Sequence, residues 1–383
     1  MPRQRQRSEP TTAPSHLIAT PQGDPGPGRL RPFGRADLSE VVALRQQVYP
    51  LSERPTRDAL TAYAERILLH NPWRDEELPS WVYEDERGRV VGFLGVIPRP
   101  MVFQAKPIRV AVATQLMVAA EHRGLVGGRL VRAFLRGPQD LSLSDAANDA
   151  ARRVWESSGG RTSLIHGFSW TRVLRPCRHL SLRFADSFIL RAGLLAGRPL
   201  LAAADAAVAR LGDTATQPPP GATEPVDAAA LLGHFGDVGG EVPLRPRYDA
   251  ASFDWLLEQL AEKRDLGSLQ HALVWDGAGR VVGWFILFLK RGGVSQVVQV
   301  AARRSARALV LRHLYHQAWR GGAAAVSGRL DPALLNDLAA QGCVFHREGP
   351  WMLIHSCRPE LMLAVEQGGT FPSRLEGEWW LTF

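Results

Sequence analysis

The residues Arg123, Gly124, Gly127, Gly128 and Arg129, in the stretch VAAEHRGLVGGRLVRAFL (118–135), have the types and spacing to hold an anion. The glycines remove Cβ atoms just where Leu130, Val131, Phe134 and Leu135 begin an apolar stripe at helical spacing, so a loop opens a helix here. The free amides of a helix start, at the positive end of its macrodipole, favour a diphosphate, and the two arginines add charge-assisted contacts. The plainer use of the same glycines is close packing of a helix on a sheet. Asn148 likewise has two uses, contact with a ligand or a cap on a helix starting at Asp149.

Elements must position these residues. WVYEDERGRVVGFLGV (81–96) is echoed by LVWDGAGRVVGWFILF (273–288), and both read as a β-hairpin with a polar Gly turn. Each copy continues into another hydrophobic strand, 116–120 or 297–302, then a helix, a short strand and a second helix ending in Gly: NDAARRVWESSGG in one half, DPALLNDLAAQGC in the other. The order β-β-helix-β-helix-β therefore occurs twice, which implies a tandem duplication. The expected fold class is α/β (α+β), with two lobes, each a mixed, mostly antiparallel sheet flanked by helices. In the second copy Ser305, Ala306, Arg307 and Ala308 replace the glycine loop, and their Cβ atoms bar close approach of a pyrophosphate. That lobe reads as a degenerate copy that braces the first or walls an acceptor pocket.

With 383 residues, 45% hydrophobic and 22% charged, the chain has a globular composition and length for two domains. The expected divisions are a disordered tail (1–28), a first lobe (29–200), a helical connector and Pro-rich linker (201–226) and a second lobe (227–383). A net charge of +8 suits an anionic ligand, or an Arg-rich solvated face, and names no partner. Cys177, Cys343 and Cys357 are too few and scattered for a disulfide framework or a metal cage, which points to a reducing, cytoplasmic location and no metal site. The apolar segment 188–211 is broken by Arg191, Arg198, Pro199 and Asp205, short of the roughly 20 apolar residues of a membrane span. It reads as a buried helix or helical hairpin. TFPSRLEGEWWLTF (370–383) sets Trp379, Trp380 and Phe383 beside Glu376 and Glu378: a strand completing a core, or the floor of a sugar or amine site.

QLMVAAEHRGLVGGRLVRAF followed by LSLSDAANDAARRVWESSGG resembles the core of the GNAT acyltransferase superfamily, which moves acyl groups from coenzyme A to amines. In that family a strand ends near an Arg/Gln-x-x-Gly-x-Gly/Ala loop whose helix amides hold the cofactor pyrophosphate. Here Arg123, Gly124, Gly127 and Gly128 stand in that loop, with Val126 where the first glycine of the motif would be. The family pattern Asn-x-x-Ala-x-x-Leu-Tyr-x-x-x-Gly-Phe is matched by Asn148, Ala151, Val154 and Gly159, with Trp155 for the Tyr and Gly160 for the Phe. The resemblance covers roughly residues 30–200; the second half resembles the fold only. It implies acetyl-CoA or another acyl-CoA as co-substrate. It further implies that the backbone of Leu116, Met117 and Val118 pairs with the pantetheine amides, that Arg123, the glycines and Arg129 hold the pyrophosphate, and that Asn148 approaches the far end of the arm.

Acyl transfer to an amine needs a deprotonated amine, a stabilised oxyanion and a thiolate that is protonated or hydrogen-bonded as it leaves. Trp155 can donate an indole hydrogen bond to that thiolate but cannot give up a proton. His166, in TSLIHGFSW, is the preferred base, because a reference pKa near 6.5 suits proton abstraction near neutrality; its other use is as a half-buried core histidine. Glu121 and His122, at the strand end, are further candidate bases or solvated turn residues. The expected function is acyl-CoA-dependent N-acyl transfer to a small-molecule amine, with no DNA partner, no transmembrane segment and an open oligomeric state. The alternatives are aminoacyl transfer from charged tRNA, which the basic charge favours and the CoA-type loop disfavours, and a non-catalytic acyl-CoA-binding regulatory protein, which Trp155 favours.

Overall fold

The hairpin turns fold as their residues dictate. Asp85 Oδ1 accepts from the Arg87 and Arg89 amides, and Asp276 Oδ1 from the Ala278 and Arg280 amides. Gly88 and Gly279 both take φ 72°, the left-handed conformation each turn requires. In the computed structural model, which describes residues 28–49, 56–183, 200, 203–205, 215–239, 242–347, 349–370 and 373–381, these turns start two mixed sheets of eight and seven strands. The expected tail up to residue 27 and most of segment 188–211 lie outside the described residues.

The strands are β1 (Arg29–Pro32), β2 (Trp81–Glu84), β3 (Val90–Phe103), β4 (Lys106–Val118), β5 (Leu141–Ala147), β6 (Arg161–Ser163) and β7 (Ser169–Val173), followed by β8 (Ala222–Pro225) and β9 (Leu244–Pro246). The chain continues through β10 (Ser268–Trp275), β11 (Val281–Leu289), β12 (Val294–Ala302), β13 (Ala325–Arg329), β14 (Val344–His346) and β15 (Trp351–His355). The first sheet runs β1-β2-β3-β4-β5-β15-β6, with β9 on β3; the second runs β14-β7-β13-β12-β11-β10-β8. The two halves thus trade strands. β7 lies between β13 and β14, and β15 lies between β5 and β6. The expected lobe 29–200 therefore supplies one strand, β7, to the second sheet, and the expected lobe 227–383 supplies two, β9 and β15, to the first. The end of the Pro-rich linker is itself a strand, because β8 pairs with β10.

Helices α1 (Leu38–Val48), α2 (Arg57–Leu68), α3 (Leu125–Leu135) and α4 (Asp149–Ser157) pack on the first sheet and its edges. α3 is the crossover that makes β4 and β5 parallel, and helix Arg307–Arg320 does the same for β12 and β13. Each crossover seats a valine on a strand glycine: a Cβ at Gly92 would stand 2.6 Å from Val126, and one at Gly283 would stand 2.6 Å from Val310. The shared GRVVG thus marks where a helix approaches its sheet closely.

One core lies under α1 and α3, built on Val82, Phe93, Met117, Leu130 and Phe134. A second joins the halves, bringing Tyr63, Ile67 and Ile97 against Phe253, Leu256, Trp284 and Trp380. The expected C-terminal strand is a 3-10 turn, Trp379–Leu381, because Trp380 must turn inward to pack edge-on to Trp255 at 5.5 Å. The Leu381 carbonyl accepts from the Tyr63 hydroxyl. Among the described residues no helix is long and apolar enough to cross a membrane.

Candidate active site

β4 and β5 are hydrogen-bonded only over Val110–Val112 and Leu141–Leu143. Beyond that, Gln115 takes φ 52° and the register of β4 on β3 shifts between Phe93 and Gly95, so a bulge turns β4 away from β5. The strands splay around a cavity of about 70 Å³. Thr114, Gln115 and Leu116 form one wall and Ser144, Ala146 and Asn148 the other; Leu94, Val131, Trp155 and Leu353 make the apolar part, and Tyr49 and Glu378 complete it. Leu116 therefore faces the cleft, while Met117 and Val118 are buried in the core.

At the end of β4 the chain makes a 3-10 turn, Ala120–His122, and enters α3 through Gly124 at φ 112°, where a side chain would be strained. Among the described residues no side chain caps α3, and its first turn holds no acidic residue, so its leading amides and positive dipole end stay available. Gly127 and Gly128 are buried in that turn. A Cβ at Gly128 would stand 3.1 Å from Arg132 Nη1, which puts a third guanidinium over the helix start. Among the described residues Arg123 Nε, which is buried, has no hydrogen-bond partner. Arg129 donates to the Tyr83 hydroxyl and lies over that ring. Val126 is buried against Gly92, so the departure from the glycine motif serves packing rather than the cradle.

Asn148 caps α4, its Oδ1 accepting from the Ala151 amide at 2.8 Å, and the residue also lines the cleft. Trp155 also lines the cleft, but its indole N–H donates to the Ile354 carbonyl at 3.1 Å. A Cβ at Gly160 would overlap that indole. The two departures, Trp155 and Gly160, are thus one exchange, a larger ring filling the space a side chain at 160 would need. His166 lies in the 3-10 turn Ile165–Gly167, only 2% exposed, with Nδ1 2.8 Å from Ser163 Oγ and Nε2 3.4 Å from Thr370 Oγ1. Burial, and secondarily the Arg329 charge, push its imidazole down to about 4. It is not among the residues lining the cleft. Glu121 is exposed and His122 half-buried in the turn before α3, outside that lining.

Sequence reasoning passed over Tyr49, Thr114 and Ser144, and it treated Glu378 only within an aromatic tail. Glu378 is held in the splay by an unusual approach of backbone to carboxylate. Asp145 Oδ1 accepts from the amides of Glu378 at 2.5 Å and Trp379 at 3.1 Å, while its Oδ2 takes Arg329 at 2.6 Å. Gly377 makes this possible, since a Cβ there would overlap the Asp145 carboxylate. Glu378 Oε1 then accepts from Ser144 Oγ at 2.5 Å and the Ala146 amide at 3.3 Å. Burial, reinforced by the Asp145 charge, pushes the Glu378 carboxyl up to about 7 despite these donors. The glycine between two glutamates, Glu376-Gly377-Glu378, is the sequence signal for this arrangement.

The two sheets, the splay and the bare helix start define a GNAT-type fold. A GCN5-related N-acetyltransferase from Anabaena variabilis ATCC 29413 superposes with a TM-score of 0.56 at 15% identity, over 85% of this chain and 72% of that one. One from Kribbella flavida gives 0.52 at 17% identity over 85% and 71%. A conserved protein of unknown function from Enterococcus faecalis V583 gives 0.56 at 13% identity over 86% and 72%. At such identities the likeness establishes the fold. No protein-family model and no curated protein matches this chain.

Proposed function

We propose that this protein transfers an acetyl or other acyl group from acyl-coenzyme A to the amine of a small molecule. The observation that carries the reading is the β4–β5 splay, with Leu116 on its wall, in the same β4–turn–α3 segment as an acid-free helix start that no described side chain caps, beside Arg123 and Arg132. The orphaned Arg123 Nε and the side-chain-free turn at Gly127 and Gly128 fit a diphosphate, held by the helix amides and the guanidinium groups. Among the described residues the edge of β4 at Leu116 has no strand beside it in the splay, so its backbone groups suit the pantetheine amides, as an added strand would. Trp155 and Glu378 line the same cleft as Leu116. Trp155 is occupied by Ile354 and acts as an apolar wall. Tyr49, whose phenol burial raises to about 12, brings a protonated hydroxyl into the cleft from another element. Free cysteines at 177, 343 and 357 accord with a reducing cytoplasm.

The test is a thermal shift against acetyl-CoA, longer acyl-CoAs and charged tRNA. Acyl-CoA should stabilise the fold by about 2.7 kcal/mol at a hundredfold excess over its Kd. Gly128→Glu should abolish the shift, because it places a carboxylate where the pyrophosphate binds. The variant should fold, since the new Cβ meets only the far end of Arg132. Unchanged acyl-CoA affinity in folded Gly128→Glu would refute the site, and a shift with charged tRNA alone would favour aminoacyl transfer.

A further inference from the structure

Beneath the cleft, the C-terminal segment carries a carboxylate that the sheet has been shaped to receive. Glu378 is 6% exposed, yet it lines the splay rather than the closed interior, opposite Thr114 and beside Ser144 and Asn148. Its anchors hold the backbone, through Asp145, and one oxygen, through Ser144 and Ala146. A carboxylate that served only the core would be expected to pair with a cation. The buried arginines of this region are engaged elsewhere: Arg329 is bound to Asp145, Arg374 donates to Gln296 Oε1 and Arg99 donates to the Leu375 carbonyl. The charged and titratable groups acting on Glu378 are Asp145 on β5 and Tyr49 after α1; around Asp145 in turn stand Arg329 on β13, Arg99 on β3, and Glu376 and Arg374 on the segment of Glu378 itself. His166, the other candidate, faces Ser163 and Thr370 away from the cleft.

We propose that Glu378 is the general base that takes a proton from the acceptor amine in the β4–β5 splay. This rests on the acyl-transfer reading above. The acceptor enters as an ammonium ion, and Glu378 removes one proton to free the nitrogen lone pair. The nitrogen then attacks the thioester carbonyl carbon, the new C–N bond forms, and the C–S bond breaks with its electron pair leaving on sulfur. Of the two protons the nitrogen loses, the first passes from Glu378 to water and the second ends on the coenzyme A thiol. No oxidant or reductant is involved. The near-neutral carboxyl, pushed up to about 7, suits this role, because a base of that strength is about half ionised at neutral pH, more so above it, and still holds the proton it takes.

The experiment is thiol release from acetyl-CoA with a panel of small amines between about pH 6 and 9, beside calorimetric acyl-CoA affinity, for parent, Glu378→Gln and Ser144→Ala. Glu378→Gln should lower kcat about a hundredfold and erase its inflection near neutrality while acyl-CoA affinity stays unchanged, which also shows that the variant is folded. Ser144→Ala removes a donor to the ionised carboxylate, so its kcat inflection should move to higher pH, a shift that a purely structural role would not produce. Parental kcat in Glu378→Gln overturns the assignment and leaves acyl transfer standing. A parent that binds acyl-CoA but releases no thiol with any amine also overturns it. A parent that binds no acyl-CoA defeats the acyl-transfer reading itself, whatever Glu378 does.

Discussion

His166 illustrates how burial decides what a titratable residue can do. From TSLIHGFSW it reads as a base of ordinary strength, but desolvation holds the imidazole neutral down to about pH 4. The sign of the linkage follows. Because the folded pKa lies below the unfolded value, between about pH 6.5 and 4 the unfolded chain binds a proton that the native chain does not, and stability falls as pH falls through that window. The loss is on the order of 3 kcal/mol. Urea midpoints should therefore decline toward acid more steeply for the parent than for His166→Gln, and parallel declines would show that the imidazole titrates normally. The glycine loop, the Asn148 cap and the place of Trp155 were legible in the sequence, since each is a local pattern. The role of Glu378 was not, because its position depends on Asp145, 233 residues away along the chain.

At the scale of elements, the traded strands set what can fold alone. β15 fills the gap between β5 and β6, and its Ile354 carbonyl accepts from Trp155, 199 residues earlier. A chain ending near residue 200 would expose the facing edges of β5 and β6 and lose the partner of a buried indole N–H. Residues 29–200 alone should aggregate or be digested quickly by protease, and co-expressed residues 227–383 should rescue them. A monomeric 29–200 fragment with cooperative melting and full acyl-CoA affinity would contradict this. The hairpins at 81–96 and 273–288 were readable because a turn and alternating residues announce themselves within a few positions. Strand partners were not, since short apolar runs such as SWTRV (169–173) and WMLIH (351–355) say that a strand forms without saying beside which neighbour.

For the molecule as a whole, the same C-terminal segment serves both sheets differently. In the second sheet β12 and β13 pair only over Val294–Gln296 and Ala325–Ser327, and the segment enters the gap beyond: the Arg374 amide donates to the Val298 carbonyl at 3.0 Å, and its guanidinium to Gln296 Oε1 at 2.7 Å. The strand edge that would correspond to Leu116 is thus already taken. With the glycine-free start at Ser305 and Ala306, this predicts one acyl-CoA per chain by titration calorimetry, and two equivalent sites would show that Arg374 gives way. The traded strands carry a further cost, in time. Native registers that join residues some two hundred positions apart form late, because chain entropy opposes closing so large a loop before the contacts that reward it exist. Until β15 arrives, β5 and β6 present open edges to any other chain nearby. The vulnerable moment for this protein is its own assembly, when crowding by sister chains competes with a slow internal closure.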